Sequence, residues 1–208
     1  MSNSPQSETA NADGVPGTAE QLRFMQSPAA HEGHAGRQPV VQTIETHMSW
    51  VFLVGDHVLK LKKPVRQPYL DFSTLARREF YCREELRLNS RLAAGVYLGL
   101  CALHWDGHAL ALVAEDARPR TGQTLDWLVL MRRLPRQRML DALIARDAVE
   151  PSEIDALAEI LIGFYRSLPA QDLAAAAYLA HFAREQVVNR EILLRPAFAL
   201  QAAGAALD

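Results

Sequence analysis

Apolar and polar positions change rhythm along this chain, and the changes divide it into a strand-rich half and a helical half. From Trp50 to Val54 the residues are apolar on both faces. Gly55-Asp56 then supplies a positive-φ turn and His57 to Lys62 alternates, so the pattern predicts a β-hairpin. Alternation places Val58, Lys60 and Lys62 on one strand face and His57, Leu59 and Leu61 on the other. Pro64 and Pro68 close the strand, because proline cannot donate to a ladder. A 3.6-residue rhythm takes over in LARREFYCREELRLNSRLAA, with Asp71 or Ser73 as N-cap and Gly95 as C-terminal cap. On that helix Glu85 shares a face with Tyr81, Leu88 and Leu92, which aims its carboxylate among apolar side chains, while Glu84 points outward. Period two returns in VYLGLCALHW and ALALVA, a hairpin around Asp106-Gly107, and in DWLVLM, a last strand ending at Met131.

Beyond Met131 the pattern predicts helices over Arg136 to Arg146, over Pro151 to Leu168 with Pro151 at N1, and over the alanine-rich Asp172 to Leu194, broken by Pro196. Strands with one inserted helix, followed by helices, make an α+β class; no internal repeat appears. Residues 1 to 38 carry a single aromatic, Phe24, too little apolar surface to offset ordering entropy, so a disordered leader is expected there.

Composition narrows the classes without choosing among them. The chain has 208 residues, a formal net charge of −2 and 49% hydrophobic content, enough for one ordinary domain or two small lobes with a substantial core. That balance predicts no strong nucleic-acid or membrane field. The polar start lacks an apolar h-region and every apolar stretch is interrupted before a spanning length, so a cytoplasmic protein is expected. Cys82 and Cys101 read as buried thiols, and His31 and His34 in HEGH as incidental rather than metal-binding.

Charge chemistry singles out one segment. Among 22 basic residues only three are lysine, and Lys60, Lys62 and Lys63 all sit in HVLKLKKP. A compact ammonium and a planar guanidinium differ in geometry and hydration, so this is where a point charge is wanted. Lys60 on an inner strand and Glu85 on an inward helix face form a sensible pair, either a structural salt bridge or part of a site. Arg132, Arg133, Arg136 and Arg138 form a local basic patch that reads as a solvated face. His181 reads as a surface or packing residue, and Trp50 and Phe52 as core.

Three segments in order, ETHMSWVFLVGDHVLKLKKP, LDFSTLARREFYCREELRLNSRLA and LVLMRRLPRQRML, resemble the N-terminal part of the aminoglycoside phosphotransferase-like kinases. The closest likeness is to the bacterial branch in which such a domain is often fused to a P-loop ATPase domain, and it runs from about Val41 to Leu168, more weakly to Asn189. The resemblance implies a protein-kinase-like fold: an antiparallel-sheet N-lobe with one inserted helix and hinge over 39–134, then an incomplete helical C-lobe over 135–208. It implies ATP as the bound nucleotide, with Lys60 on the α and β phosphates, Glu85 holding it, and Lys62 as the rival for that role. Thr46 to Ser49 would cover the phosphates, although this loop lacks the glycines of protein kinases. Met131 would lie behind the adenine, and the backbone of Arg132, Arg133 and Leu134 would read its edge.

The family's His-Gly-Asp loop, later Asn and further Asp, which position the acceptor and hold magnesium, do not occur in the sequence. His104-Trp105-Asp106 falls on a predicted hairpin turn, and Asp71-Phe72-Ser73 on a helix start. The resemblance therefore implies the nucleotide-binding portion of a kinase for a small-molecule hydroxyl, without activity alone, completed by a C-terminal chain or domain. The alternative is a non-catalytic, pseudokinase-like binding or regulatory module. Helices from Asp172 onward are expected to expose apolar faces that such a remainder would cover.

Overall fold

The computed structural model describes residues 14–36, 38–67, 69–117, 119, 121–170 and 174–196. Helix α1 (Thr18–Gln26) leads through a 3-10 turn (Pro28–His31) into the short α2 (Glu32–Ala35). Strands β1 (Val41–Glu45), β2 (Ser49–Val54) and β3 (His57–Lys62) follow as a meander, with Gly55 at φ +53° in the β2–β3 turn. A small hairpin, β4 (Arg66–Gln67) and β5 (Leu70–Asp71), precedes α3 (Leu75–Asn89). Then come β6 (Tyr97–Trp105), β7 (Leu110–Ala114) and β8 (Gln123–Arg132). The remainder is helical: a 3-10 turn (Arg136–Arg138), α4 (Leu140–Ile144), α5 (Pro151–Ser167) and α6 (Ala175–Leu193).

Six strands form one antiparallel sheet in the order β1-β2-β3-β8-β6-β7. The last strand in sequence is thus inserted at the centre, pairing Lys60 with Val129 and Leu100 with the same Val129. Period-two alternation separates two faces. One carries Phe52, Val54, Leu59, Leu61, Cys101, Leu103 and Leu128, which pack with Met25 of α1. The other carries Leu100, Ala102, Trp127 and Val129, which pack with Cys82 of α3. The centre of the sheet is therefore buried on both sides, and α+β with an antiparallel sheet is the observed class.

Several expectations change. Disorder was expected through residue 38, yet α1 is helical and Met25 is fully buried, because a single well-placed methionine, flanked by Leu22 and Phe24, covers the outer sheet face. His31 is buried as well, with Nε2 at 2.7 Å from the Met25 carbonyl. Residues 1–13, Pro68 and the His34 side chain lie outside the described residues.

The α3 N-cap is Thr74, whose hydroxyl accepts the Arg77 N–H at 3.3 Å. Asp71 instead accepts both Ser73 donors and pairs with Arg66 and Arg77. The helix ends at Asn89, short of Gly95, and its inward face runs through Arg78 and Cys82; Leu88 and Leu92 are exposed. The helix expected over Arg136 to Arg146 is interrupted at Met139, whose ψ of 142° is extended.

Two compact units cover Met1–Leu157 and Ala158–Asp208. Residues 133–137 and Met139 share a cleft with residues of β1 to β3, and Arg138 reaches Glu153 at 3.5 Å. In the second unit, α6 has no buried residue, and Tyr178, Leu179, Phe182, Val187 and Val188 are exposed, as the apolar-face expectation requires. Among the described residues no helix is long and apolar enough to cross a membrane.

Candidate functional site

The register that sets Leu59 and Leu61 into one core turns Lys60 and Lys62 to the opposite face, toward α3. There Glu85 receives both. Lys60 Nζ lies 2.9 Å from Oε1 and Lys62 Nζ 2.5 Å from Oε2. The three side chains are unequally exposed: 31% for Lys60, 5% for Lys62 and 12% for Glu85. Burial by itself pushes the Glu85 carboxyl up, but hydrogen bonds from Lys62 and Lys60 outweigh it and hold the group below the usual carboxylate range. Two ammoniums on one carboxylate leave a local charge of +1.

Lys62 also sits 5.0 Å from the Phe72 ring centroid, a cation–π contact. Lys63 is only 15% exposed: it pairs with Glu45 at 2.5 Å and lies 5.1 Å over the Trp50 ring. The ammonium over the indole makes a cation–π contact.

Val58 stands two residues from Lys60 on the same strand face and is a wall of a cleft of about 840 Å³. Gln42 and Ile44 of β1, Leu53 of β2, the Gly55-Asp56 turn and residues 133–137 with Met139 complete it. Of the expected hinge, Arg133 and Leu134 line this cleft. The Arg132 N–H donates to the Val96 carbonyl at 2.8 Å and the Arg133 N–H to Asp56 at 2.7 Å, so both amides are spent within the fold. Met131 packs beside Val129 and Leu100 under α3.

Thr46 to Ser49 form the β1–β2 turn, at the end of the sheet where Ser49 pairs with Lys62. The turn closes on itself: the Thr46 N–H donates to the Ser49 carbonyl at 2.9 Å and the Ser49 N–H to the Thr46 hydroxyl at 3.0 Å. The structure therefore gathers Lys60, Lys62 and Glu85, sets Thr46 and Ser49 beside them, and puts Arg133 and Leu134 on the cleft.

Arg136 and Arg138 of the basic patch are paired with Asp141 and Glu153. His104 is buried with Nε2 2.8 Å from the Thr121 carbonyl, and Asp106 caps the β6–β7 turn through the His108 and Ala109 amides.

One pair escaped sequence reasoning. Arg78 of α3 places Nε 2.9 Å from both carboxylate oxygens of Asp126 at the start of the apolar half of β8. Its Nη1 donates to the Phe72 carbonyl at 3.0 Å, and the Trp127 N–H donates to Asp126 at 2.9 Å. Burial pushes the Asp126 carboxyl up against the pull of Arg78. The pair ties α3 to the centre of the sheet and so sets where Glu85 stands. An acid opening the apolar run DWLVLM was the available signal, since a charge there needs a partner.

Uncharacterized proteins of Mycobacterium bovis and of two Mycobacterium tuberculosis strains are 36% identical to the chain over 129 residues, 62% of its length. The match covers 23% of each relative, so the chain spans about a quarter of the length of these curated proteins. No protein-family model matches, and no solved structure matches.

Proposed function

We propose that this chain is the nucleotide-binding part of an aminoglycoside phosphotransferase-like kinase, binding ATP for phosphoryl transfer to a small-molecule hydroxyl. The observation that carries the reading is the 2.9 Å contact of Lys60 with Glu85, made between a central strand and its covering helix. It lies on the sheet face whose other end forms the cleft walled by Leu53, Val58, Arg133 and Leu134. Lys60 supplies a partly exposed cation for the phosphates, and the apolar walls supply a slot for a planar base. Phosphoryl transfer would further need magnesium ligands and an acceptor-orienting carboxylate, which the family's His-Gly-Asp loop does not supply in this sequence. The reading also takes the protein to be cytoplasmic.

The test is calorimetric titration with ATP and with adenosine. Saturable binding of both is expected, with ATP the tighter. Lys60→Met should bring ATP down to the adenosine level, and Lys63→Ala should leave both unchanged. Failure of ATP to bind at millimolar concentration sinks the reading. A second reading, a regulatory module that uses the fold to engage a partner, is favoured by the engaged Arg132 and Arg133 amides and the self-closed Thr46 turn. It predicts adenosine and ATP binding that is equally absent.

A further inference from the structure

We propose that Lys62 is a positioning residue: it is the fixed counter-ion of Glu85, which leaves Lys60 as the member of the pair free to turn to an anion. The anion in question is a nucleotide's polyphosphate, and that clause rests on the reading above. The division of labour between the two lysines does not.

The two ammoniums are not equivalent. Lys62 is held on two sides, by Glu85 Oε2 at 2.5 Å and by the Phe72 ring at 5.0 Å, with a side chain 5% exposed. Its box is itself braced. The Phe72 N–H donates to the Val65 carbonyl at 2.8 Å, its ring meets Tyr81 edge-on at 5.0 Å, and its carbonyl accepts from Arg78 at 3.0 Å. On the neighbouring strand Ser49, which pairs with Lys62, is buried. An ammonium boxed in on those sides has no open path to a ligand, whereas Lys60 can turn outward and leave the mostly buried Glu85 still paired with Lys62. Lys60 makes the longer contact, at 2.9 Å, and its side chain is 31% exposed.

Charge counting shows what Lys62 does for binding without touching the ligand. With both lysines the cluster carries +1, and the excess is presented by the exposed member. Without Lys62 the remaining pair is neutral, Lys60 becomes the sole partner of Glu85, and an incoming phosphate must compete for it. Loss of one unit of charge at a distance of several ångströms lowers anion affinity roughly tenfold at the effective dielectric of a protein surface once physiological salt screens the interaction. The charged and titratable groups about Glu85 are Lys60, Lys62 and, one turn back on α3, Cys82. Burial pushes the Cys82 thiol up to about 12, so it stays neutral across the test range.

The experiment uses the full chain, with Lys60→Met, Lys62→Met and Lys62→Arg, and two readouts. In the first, carboxyl ¹³C NMR follows the titration of Glu85. Lys62→Met should raise its midpoint more than Lys60→Met does; an equal or larger rise in Lys60→Met overturns the proposal. In the second, inorganic tripolyphosphate and ATP are titrated. Lys62→Met should lose roughly tenfold in affinity for both, and Lys62→Arg should recover most of it. Unchanged affinity in Lys62→Met, or no recovery in Lys62→Arg, overturns the positioning role. Should Lys62→Met fail to fold, Lys62→Arg against Lys60→Met decides the Glu85 ordering: a midpoint kept low by arginine supports the proposal, and one raised as far as in Lys60→Met refutes it. Absence of ATP and tripolyphosphate binding to the wild-type chain removes the nucleotide reading alone, since the Glu85 titration still ranks the two lysines.

Discussion

Asp126→Leu is the perturbation that most directly probes what holds α3 on the sheet. The substitution strips both carboxylate oxygens from Arg78 Nε, each now at 2.9 Å, in a pair whose side chains are 10% and 8% exposed. Removing one partner of a buried ion pair strands the other charge, which costs about 3–5 kcal/mol. Against a typical total of roughly 5–15 kcal/mol, that is a large fraction of the stability.

Arg78→Met strands Asp126 instead, and here pH enters. Burial already pushes this carboxyl up, so its folded value lies above the unfolded one, and the penalty present at high pH is relieved as pH falls through the folded value. Arg78→Met should therefore cost more near neutrality than in mild acid. The double substitution removes both charges and leaves apolar groups of similar volume. It should recover to within about 1–2 kcal/mol of the wild type, a coupling far above the ~0–1 kcal/mol of an exposed pair. Urea unfolding followed by tryptophan emission is the assay, and buried Trp127, next to Asp126, reports on this contact. A loss below about 1 kcal/mol for Asp126→Leu, or a double variant whose loss equals the sum of the singles, refutes the reasoning.

Other expectations are as direct. His31 is held below its ordinary value by burial, so the stability its neutral ring contributes is present above about pH 6.5 and lost as pH falls through the lowered folded value. Protection factors of the α1 amides, corrected for the intrinsic pH dependence of exchange, should fall on acidification in the wild type and not in His31→Gln; equal slopes count against it. Gly122 has φ +84°, and a Cβ there would overlap the Trp105 carbonyl and stand 2.7 Å from His104 Nε2. Gly122→Ala should cost at least about 1–3 kcal/mol, and an unchanged Tm would show that the β7–β8 connection relaxes freely. Burial pushes the thiols of Cys82 and Cys101 up to about 12 and about 11, so neither should react with a disulfide reagent at pH 8 until denaturant is added. Prompt labelling of the native chain would contradict their burial.

Local rhythm made much of this molecule legible. The β2–β3 hairpin, its Gly55 turn, the alternation that separates Lys60 and Lys62 from Leu59 and Leu61, and the β6–β7 hairpin all follow from neighbours in sequence. So does the meeting of Lys60 with Glu85, although Leu88 and Leu92, which mark the same helix face in the sequence, are exposed. Period and turn chemistry act over a few residues, so a sequence displays them directly.

Tertiary structure decided everything that depends on which surfaces meet. Insertion of β8 between β3 and β6 brings Asp126 under Arg78, residues separated by 48 positions, and no local pattern encodes that distance. The same packing buries Lys62 rather than Lys60 beneath Phe72, ranking two lysines that alternation leaves equivalent. It also recruits Met25 and His31 from a segment whose composition argued for disorder, since one buried methionine needs a waiting apolar face rather than a hydrophobic neighbourhood of its own. Burial and charge pairing are properties of assembled surfaces, and only the folded sheet supplies them.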